Sequence, residues 1–201
     1  MKQIIMATRN LGKIKELNCL LADLDVEVLS LTDYPTIGPI EETGKTMGEN
    51  AALKAKTAAK AAGLAAIADD SGLEVDALKG APGVYSARYA GAEGNDAANN
   101  AKLLEVLSGI PKVKRAARFR CVIAIAKPSG ECFFAEGICE GSIGFELRGS
   151  NGFGYDPLFI VKGGERTLAE YSLAEKNKIS HRAEAFKTAK NLLGSLLESM
   201  L

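Results

Sequence analysis

The stretch Lys2-Gln3-Ile4-Ile5-Met6-Ala7-Thr8-Arg9-Asn10-Leu11-Gly12-Lys13 decides the fold class. Ile4, Ile5 and Met6 form a short apolar run suited to a buried strand. Arg9 to Gly12 turn the chain, and Ile14, Leu17, Leu20 and Leu21 then recur at helical spacing. A strand that feeds a helix through a tight turn predicts an α/β protein.

Outward from this start, residues 26–31 read as a short strand and residues 35–45 as a loop carrying Gly38, Pro39 and Gly44. Thr46 followed by Glu49 is a capping box, the residues up to Ala62 are rich in Ala, Leu and Lys, and Gly63 stands where a C-terminal cap belongs. A helix over 46–62 follows. Residues 64–68 read as a strand that ends in Asp69-Asp70-Ser71-Gly72, which places the acid pair at the strand's carboxyl end. Residues 95–107 read as a helix. Two strands, 116–127 and 131–140, make a hairpin around Pro128-Ser129-Gly130. A strand at 158–161 and a helix running from its cap at Ser180 to the terminus complete the chain.

At 201 residues, 47% hydrophobic and 25% charged, the chain suits one domain, 1–201, of two lobes. Its 25 basic and 25 acidic residues cancel, and aromatics are 6%, which argues against a nucleic-acid partner. Cys19, Cys121, Cys132 and Cys139 contain no C-x-x-C pair and read as reduced core thiols. No apolar run approaches the roughly 18 residues of a membrane span, so a cytoplasmic protein with no membrane partner is expected.

Two helix starts are loaded with cations, which the macrodipole disfavours unless an anion is present. Lys13 and Lys15 load the first, where Thr8 and Asn10 add side-chain donors, and Lys176, Lys178, His181 and Arg182 load the second. Exposed N–H groups at such starts bind phosphate. The acids cluster as Glu41-Glu42, Glu49 and Asp69-Asp70, and magnesium takes a few carboxylates plus substrate phosphates. Because strand side chains alternate, one of Asp69 and Asp70 should face the metal. Gly152-Phe153-Gly154-Tyr155-Asp156 fits a base pocket: Phe153 or Tyr155 stacks on a ring and Asp156 accepts from a ring N–H. A single histidine, no G-x-S-x-G elbow and no G-x-x-x-x-G-K-[ST] loop remove the serine hydrolase, zinc and Walker-type alternatives.

Thr8 to Lys13, Glu41-Glu42-Thr43-Gly44, Glu49-Asn50-Ala51, Ala68 to Leu73, Gly83 to Tyr89, Gly152 to Pro157 and Ser180 to Ala183 together resemble the inosine triphosphate pyrophosphatase family, in order along nearly the whole chain. The resemblance implies an elongated mixed sheet flanked by helices, two lobes with a nucleotide-binding cleft between them, and a homodimer. It implies hydrolysis of ITP, dITP or XTP to the monophosphate and pyrophosphate. It places Thr8, Arg9, Asn10, Leu11, Gly12 and Lys13 on the triphosphate, Glu41 and Asp70 at Mg2+, and Asp70 as acceptor of the water's proton. Ser71, Phe153, Gly154, Tyr155, Asp156, Lys176, His181 and Arg182 complete the small-molecule nucleotide site. Two positions depart from the family's commonest pattern: Arg9 stands where glycine is frequent, and Met47 where an aromatic usually follows the threonine. A module that binds the nucleotide without hydrolysing it is the rival reading. Asp69-Asp70 counts against it, because idle carboxylates beside a triphosphate only repel.

Overall fold

The computed structural model describes residues 2–92 and 94–198. Its elements are β1 (Lys2–Met6), α1 (Leu11–Leu21), β2 (Val26–Ser30), α2 (Met47–Ala62), β3 (Ala65–Val75), α3 (Asp96–Val106), β4 (Ala116–Ala126), β5 (Cys132–Ile143), β6 (Phe159–Val161), α4 (Leu173–Ile179) and α5 (His181–Glu198). The strands make one sheet in the order β2-β1-β3-β4-β5-β6. It is mixed, with β1 parallel to β2 and β3, and β5 antiparallel to β6. The α/β class is as expected.

The chain divides into two compact units. The first holds the chain up to Asp70, Cys121–Gly137 and the chain from Ala183. Strand alternation splits its core in two. Ile4, Met6, Ala65, Ile67, Ile123 and Ile125 face Leu17 and Leu21 of α1 and Ala185, Phe186 and Leu193 of α5. The intervening Ile5, Ala7, Ala66, Ala68, Ala124 and Ala126 face Ala51, Ala55, Ala58 and Ala59 of α2. Small residues on both sides of that second layer let α2 lie close to the sheet. The second unit, Ser71–Arg120 and Ile138–Arg182, has its own core of Leu73, Val75, Leu103, Phe119, Tyr155, Leu158, Phe159 and others.

Strand β3 corrects one expectation. It does not stop at the acid pair but runs through Asp69 and Asp70 to Val75, because Leu73 and Val75 continue the buried alternation. What ends near the acids is the ladder with β1, whose last pair is Met6 with Ile67, closed by the Ala7 N–H on the Ile67 carbonyl at 2.8 Å. The cap of α2 differs in half. Thr46 accepts from the Glu49 N–H at 3.1 Å as expected, but the Glu49 carboxylate accepts from the Lys45 N–H at 2.6 Å. Gly63, at φ 68, closes the helix on the Ala59 carbonyl. Helix α4 had no expectation in the sequence reading, although its capping box, Ser172 with Glu175, has a plain signature. The last helix begins at His181 as expected, and residues 199–201 of that expectation lie outside the described residues. Among the described residues no helix is long and apolar enough to cross a membrane.

Candidate active site

Two clusters gather the residues singled out above, one in each unit. In the first, β1 delivers the chain to Thr8 and Asn10, whose side chain accepts from the Lys13 N–H at 3.1 Å and caps α1. No acid occupies the first turn of α1, so the helix start keeps its positive end for an anion. Thr8, Gly12 and Lys13 are half-buried, while Arg9, Asn10 and Leu11 are exposed. The Lys13 ammonium lies 3.1 Å from a carboxylate oxygen of Asp69. Arg9 turns away from this start: its guanidinium donates to the carbonyls of Ile37 at 2.5 Å and Gly38 at 3.4 Å, fastening the loop before α2. Met47, the other departure from the family pattern, is buried at the start of α2.

The alternation of β3 sends its two acids to different lysines. Asp69 takes Lys13 of α1, and Asp70 takes Lys54 of α2, with Lys54 Nζ 3.1 Å from Asp70 Oδ1. The same ammonium lies 2.7 Å from Glu42, and Asn50, one turn before Lys54, donates to Asp70 at 3.4 Å. Asp70 is therefore held by one helix face. Sequence reasoning missed Lys54 in this role. The signal was present, since a lysine and an asparagine four residues apart on the alanine face of α2 are polar groups committed to burial, which demands partners.

Within the acid pair of the loop, Glu42 is the residue bonded into this cluster, while Glu41, to which the family resemblance assigned a metal role, is exposed. Glu42 and Asp70 bring their carboxylate oxygens together at Lys54. Such oxygens suit a hard cation that also takes phosphate oxygens. No group of three or more His, Cys, Asp or Glu suited to a metal occurs among the described residues, so a cation here would need oxygens from elsewhere. Burial pushes the Asp70 carboxyl above the usual carboxylate range, against the pull of Lys54 and Lys13, with Glu42 adding to the push. Burial alone would lower the Lys54 ammonium, yet Asp70, Asp69 and Glu42 together hold it above its ordinary value. Replacing Lys54 by methionine should therefore move the Asp70 titration further upward. Side-chain carboxyl 13C NMR of the metal-free protein checks this, and an unmoved titration would show that the ion pair contributes nothing.

In the second unit, residues 149–157 form a tight loop before β6. Phe153 is half-buried, with Lys176 Nζ 4.8 Å and the Arg182 guanidinium 5.6 Å from its ring centre, so an aromatic face and two cations meet here. Arg182 also donates to the Ser71 hydroxyl at 3.3 Å. His181 is buried and stacks on Phe119 with ring centres 4.7 Å apart.

Three expectations change within this loop. Tyr155 is not a free stacking platform: its ring is part of the core and its hydroxyl donates to the Ser86 carbonyl at 2.8 Å. Asp156 does not stand open for a ring N–H. Its carboxylate accepts from the Phe153 N–H at 2.9 Å and meets Lys176 at 2.5 Å, both ends buried. Gly154 has its N–H bonded to Asp96 and its carbonyl to Asn100. Only Phe153 remains as a ring surface. A side chain at Gly152 would put Cβ 2.0 Å from Asp156 Oδ2 at φ +77. Gly152→Ala should consequently lower the unfolding free energy by about 2–3 kcal/mol. Urea denaturation reads this directly, and a midpoint equal to wild type would contradict the loop geometry.

The model of the Ham1 family matches residues 4–192. A dITP/XTP pyrophosphatase of Desulforamulus reducens is 54% identical over 194 residues, 96% of each chain. Among solved structures, a HAM1 protein from Coxiella burnetii superposes with a TM-score of 0.87 at 44% identity, covering 97% of this chain and 100% of that one. A nucleoside-triphosphatase / dITP/XTP pyrophosphatase from Mycobacterium abscessus gives a TM-score of 0.76 at 47% identity, covering 93% and 98%.

Proposed function

This chain belongs to the Ham1 family, and from that premise we propose that it hydrolyses dITP, XTP and ITP to the nucleoside monophosphate and pyrophosphate, clearing non-standard purine nucleotides. The observation that carries the reading is the pairing of a phosphate-ready helix start, capped by Asn10, with a buried carboxylate, Asp70, held by Lys54 and Asn50. The N–H groups of α1 and the Lys13 ammonium take the triphosphate. Asp70 accepts a proton from water as it attacks the α-phosphorus, and the bridging oxygen leaves with pyrophosphate. Lys13 and Lys54 offset the charge gathered on the phosphate oxygens.

Magnesium completes the proposal, with carboxylate oxygens of the acidic loop and of Asp70 as its protein ligands and the substrate's phosphate oxygens as the rest. When bound it supplies charge neutralisation of the phosphates. The family resemblance offers Glu41 to the metal, and the ion pair with Lys54 offers its neighbour Glu42 beside it. The base, on the family resemblance, stacks on Phe153. The Arg182 guanidinium donates to the 6-keto oxygen of hypoxanthine or xanthine, where adenine presents an amino group. Ser71, Lys176 and His181 complete the nucleotide contacts in this proposal, on the family resemblance. A cytoplasmic homodimer belongs to the same proposal and rests on the family resemblance.

Purified protein with magnesium should release pyrophosphate and monophosphate from ITP, dITP and XTP while leaving ATP nearly untouched. Orthophosphate as the product would refute the position of attack. Tight binding without turnover would favour the nucleotide-sensing module.

A further inference from the structure

The loop carrying Phe153 is rich in glycine. Gly149, Gly152 and Gly154 all sit at positive φ, at 82°, 77° and 61°, and glycine loses the most chain entropy when a loop is fixed. Asp156 on the Phe153 N–H and Asn151 on Ala169 and Tyr171 supply part of its hold, and helix α3 supplies the bonds to Gly154. Asp96, in its first turn, accepts the Gly154 N–H at 2.7 Å. One turn later, Asn100 is buried and spends both amide protons: one on the Asp96 carbonyl at 2.8 Å, the other on the Gly154 carbonyl at 2.8 Å. Both backbone groups of one glycine are thus gripped by two side chains at i and i+4 of the same helix.

The helix is itself anchored. Asn99 accepts from the Ala90 N–H at 2.8 Å and donates to the Ala87 carbonyl at 3.2 Å, fixing α3 to the turn Gly83–Arg88 and the residues after it. The same turn receives the Tyr155 hydroxyl on Ser86, and Ser86 is bonded to the Leu73 N–H of β3 at 2.9 Å. A chain of hydrogen bonds therefore runs from β3 through Ser86 to Tyr155, and from the same turn through α3 to Gly154. Phe153 directly precedes both bonded residues, Gly154 and Tyr155.

We infer that Asp96 and Asn100 are specificity-determining positioning residues: they touch no substrate, but their grip on Gly154 fixes Phe153 well enough for the base to be discriminated. This rests on the proposed reading of Phe153 as the base platform. Discrimination by donor and acceptor mismatch needs groups held to within about 0.5 Å, since a loop free to shift lets a mismatched base find another partner. Chemistry at the α-phosphorus makes no such demand on this loop. Loosening the grip costs selectivity and leaves the chemical step.

The test compares wild type, Asp96→Ala, Asp96→Asn and Asn100→Ala in the kcat/KM ratio of ITP to ATP, with amide hydrogen exchange at Gly154 read on the same proteins. Asp96→Ala and Asn100→Ala should each lower the ratio about tenfold or more, through KM for ITP, with kcat for ITP within about threefold of wild type. Exchange at Gly154 should rise in Asp96→Ala. Asp96→Asn keeps an acceptor oxygen and should restore both the ratio and the slow exchange, which a purely structural role for the charge would not do. A ratio unchanged while Gly154 exchange rises overturns the inference, as does unchanged exchange in Asp96→Ala. Should one alanine variant fail to fold, the other carries the test. A wild-type protein that hydrolyses neither ITP nor dITP nor XTP would instead overturn the functional reading itself, so the two failures are separable.

Discussion

Replacing Asp70 by asparagine should lower kcat for ITP about a thousandfold, within the roughly 100- to 10,000-fold that a positioned general base contributes, while leaving the fold intact. Asp70 is buried, with 6% of the residue exposed, and burial raises its affinity for protons, which makes it a better proton acceptor than a solvated aspartate. Asparagine keeps the shape and an oxygen facing Lys54 but cannot take a proton. The Lys54 ammonium is not stranded, because Glu42 remains 2.7 Å away. Stability should accordingly stay within about 1.5 kcal/mol of wild type. Pyrophosphate release under saturating ITP, with a thermal melt of the same preparation, checks both halves. A variant that melts normally and turns over at the wild-type rate would remove Asp70 from the reaction.

The proton-accepting role has a pH consequence. Because burial raises the proton affinity of Asp70, its carboxyl in the metal-free protein should take up a proton at a higher pH than an unperturbed aspartate does. Side-chain carboxyl 13C NMR of the metal-free protein reads this, and a titration in the ordinary carboxylate range would contradict it.

What the sequence disclosed depended on how local the determining interaction is. The start of α1 and both ends of α2 were legible because a cap joins residues three or four apart, and Asn10, Thr46 and Gly63 carry that information themselves. The acid pair was legible as a type of chemistry but not in its setting. Ser71-Gly72 resembles a turn, yet the buried side chains of Leu73 and Val75 keep β3 extended through it. The choice between Glu41 and Glu42 depends on a lysine 12 residues after Glu42 in another element, which no local pattern reveals. The partners of Tyr155 and Asp156 were not legible for a related reason. Composition marks a glycine-rich aromatic loop as able to meet a planar ring, but only tertiary partners decide which polar atoms stay available. Ser86, 69 residues before Tyr155, had already taken its hydroxyl, and Lys176, 20 residues after Asp156, had taken its carboxylate.

That last pair carries the other large effect. Lys176→Met and Asp156→Asn should each destabilise the protein by about 3–5 kcal/mol, because each removes the closest opposite charge from a group only 3% exposed. The double variant should regain much of that loss, since two neutral side chains of similar size leave no buried charge to desolvate. Asp156 adds a local term: it also accepts the Phe153 N–H, so asparagine there must keep its oxygen on that bond while giving up the pair. Urea denaturation of the four proteins closes a double-mutant cycle, in which a coupling energy of more than about 1 kcal/mol marks a pair acting as one unit. The cycle also separates two roles for Lys176. If its charge serves only the loop, Lys176→Met raises KM for ITP in proportion to the loosening of Phe153, and the double variant recovers affinity along with stability. If its ammonium reaches the nucleotide itself, affinity stays low in the double variant although stability returns. Single variants that unfold within about 1 kcal/mol of wild type would show that the 2.5 Å contact adds no net stability to the loop.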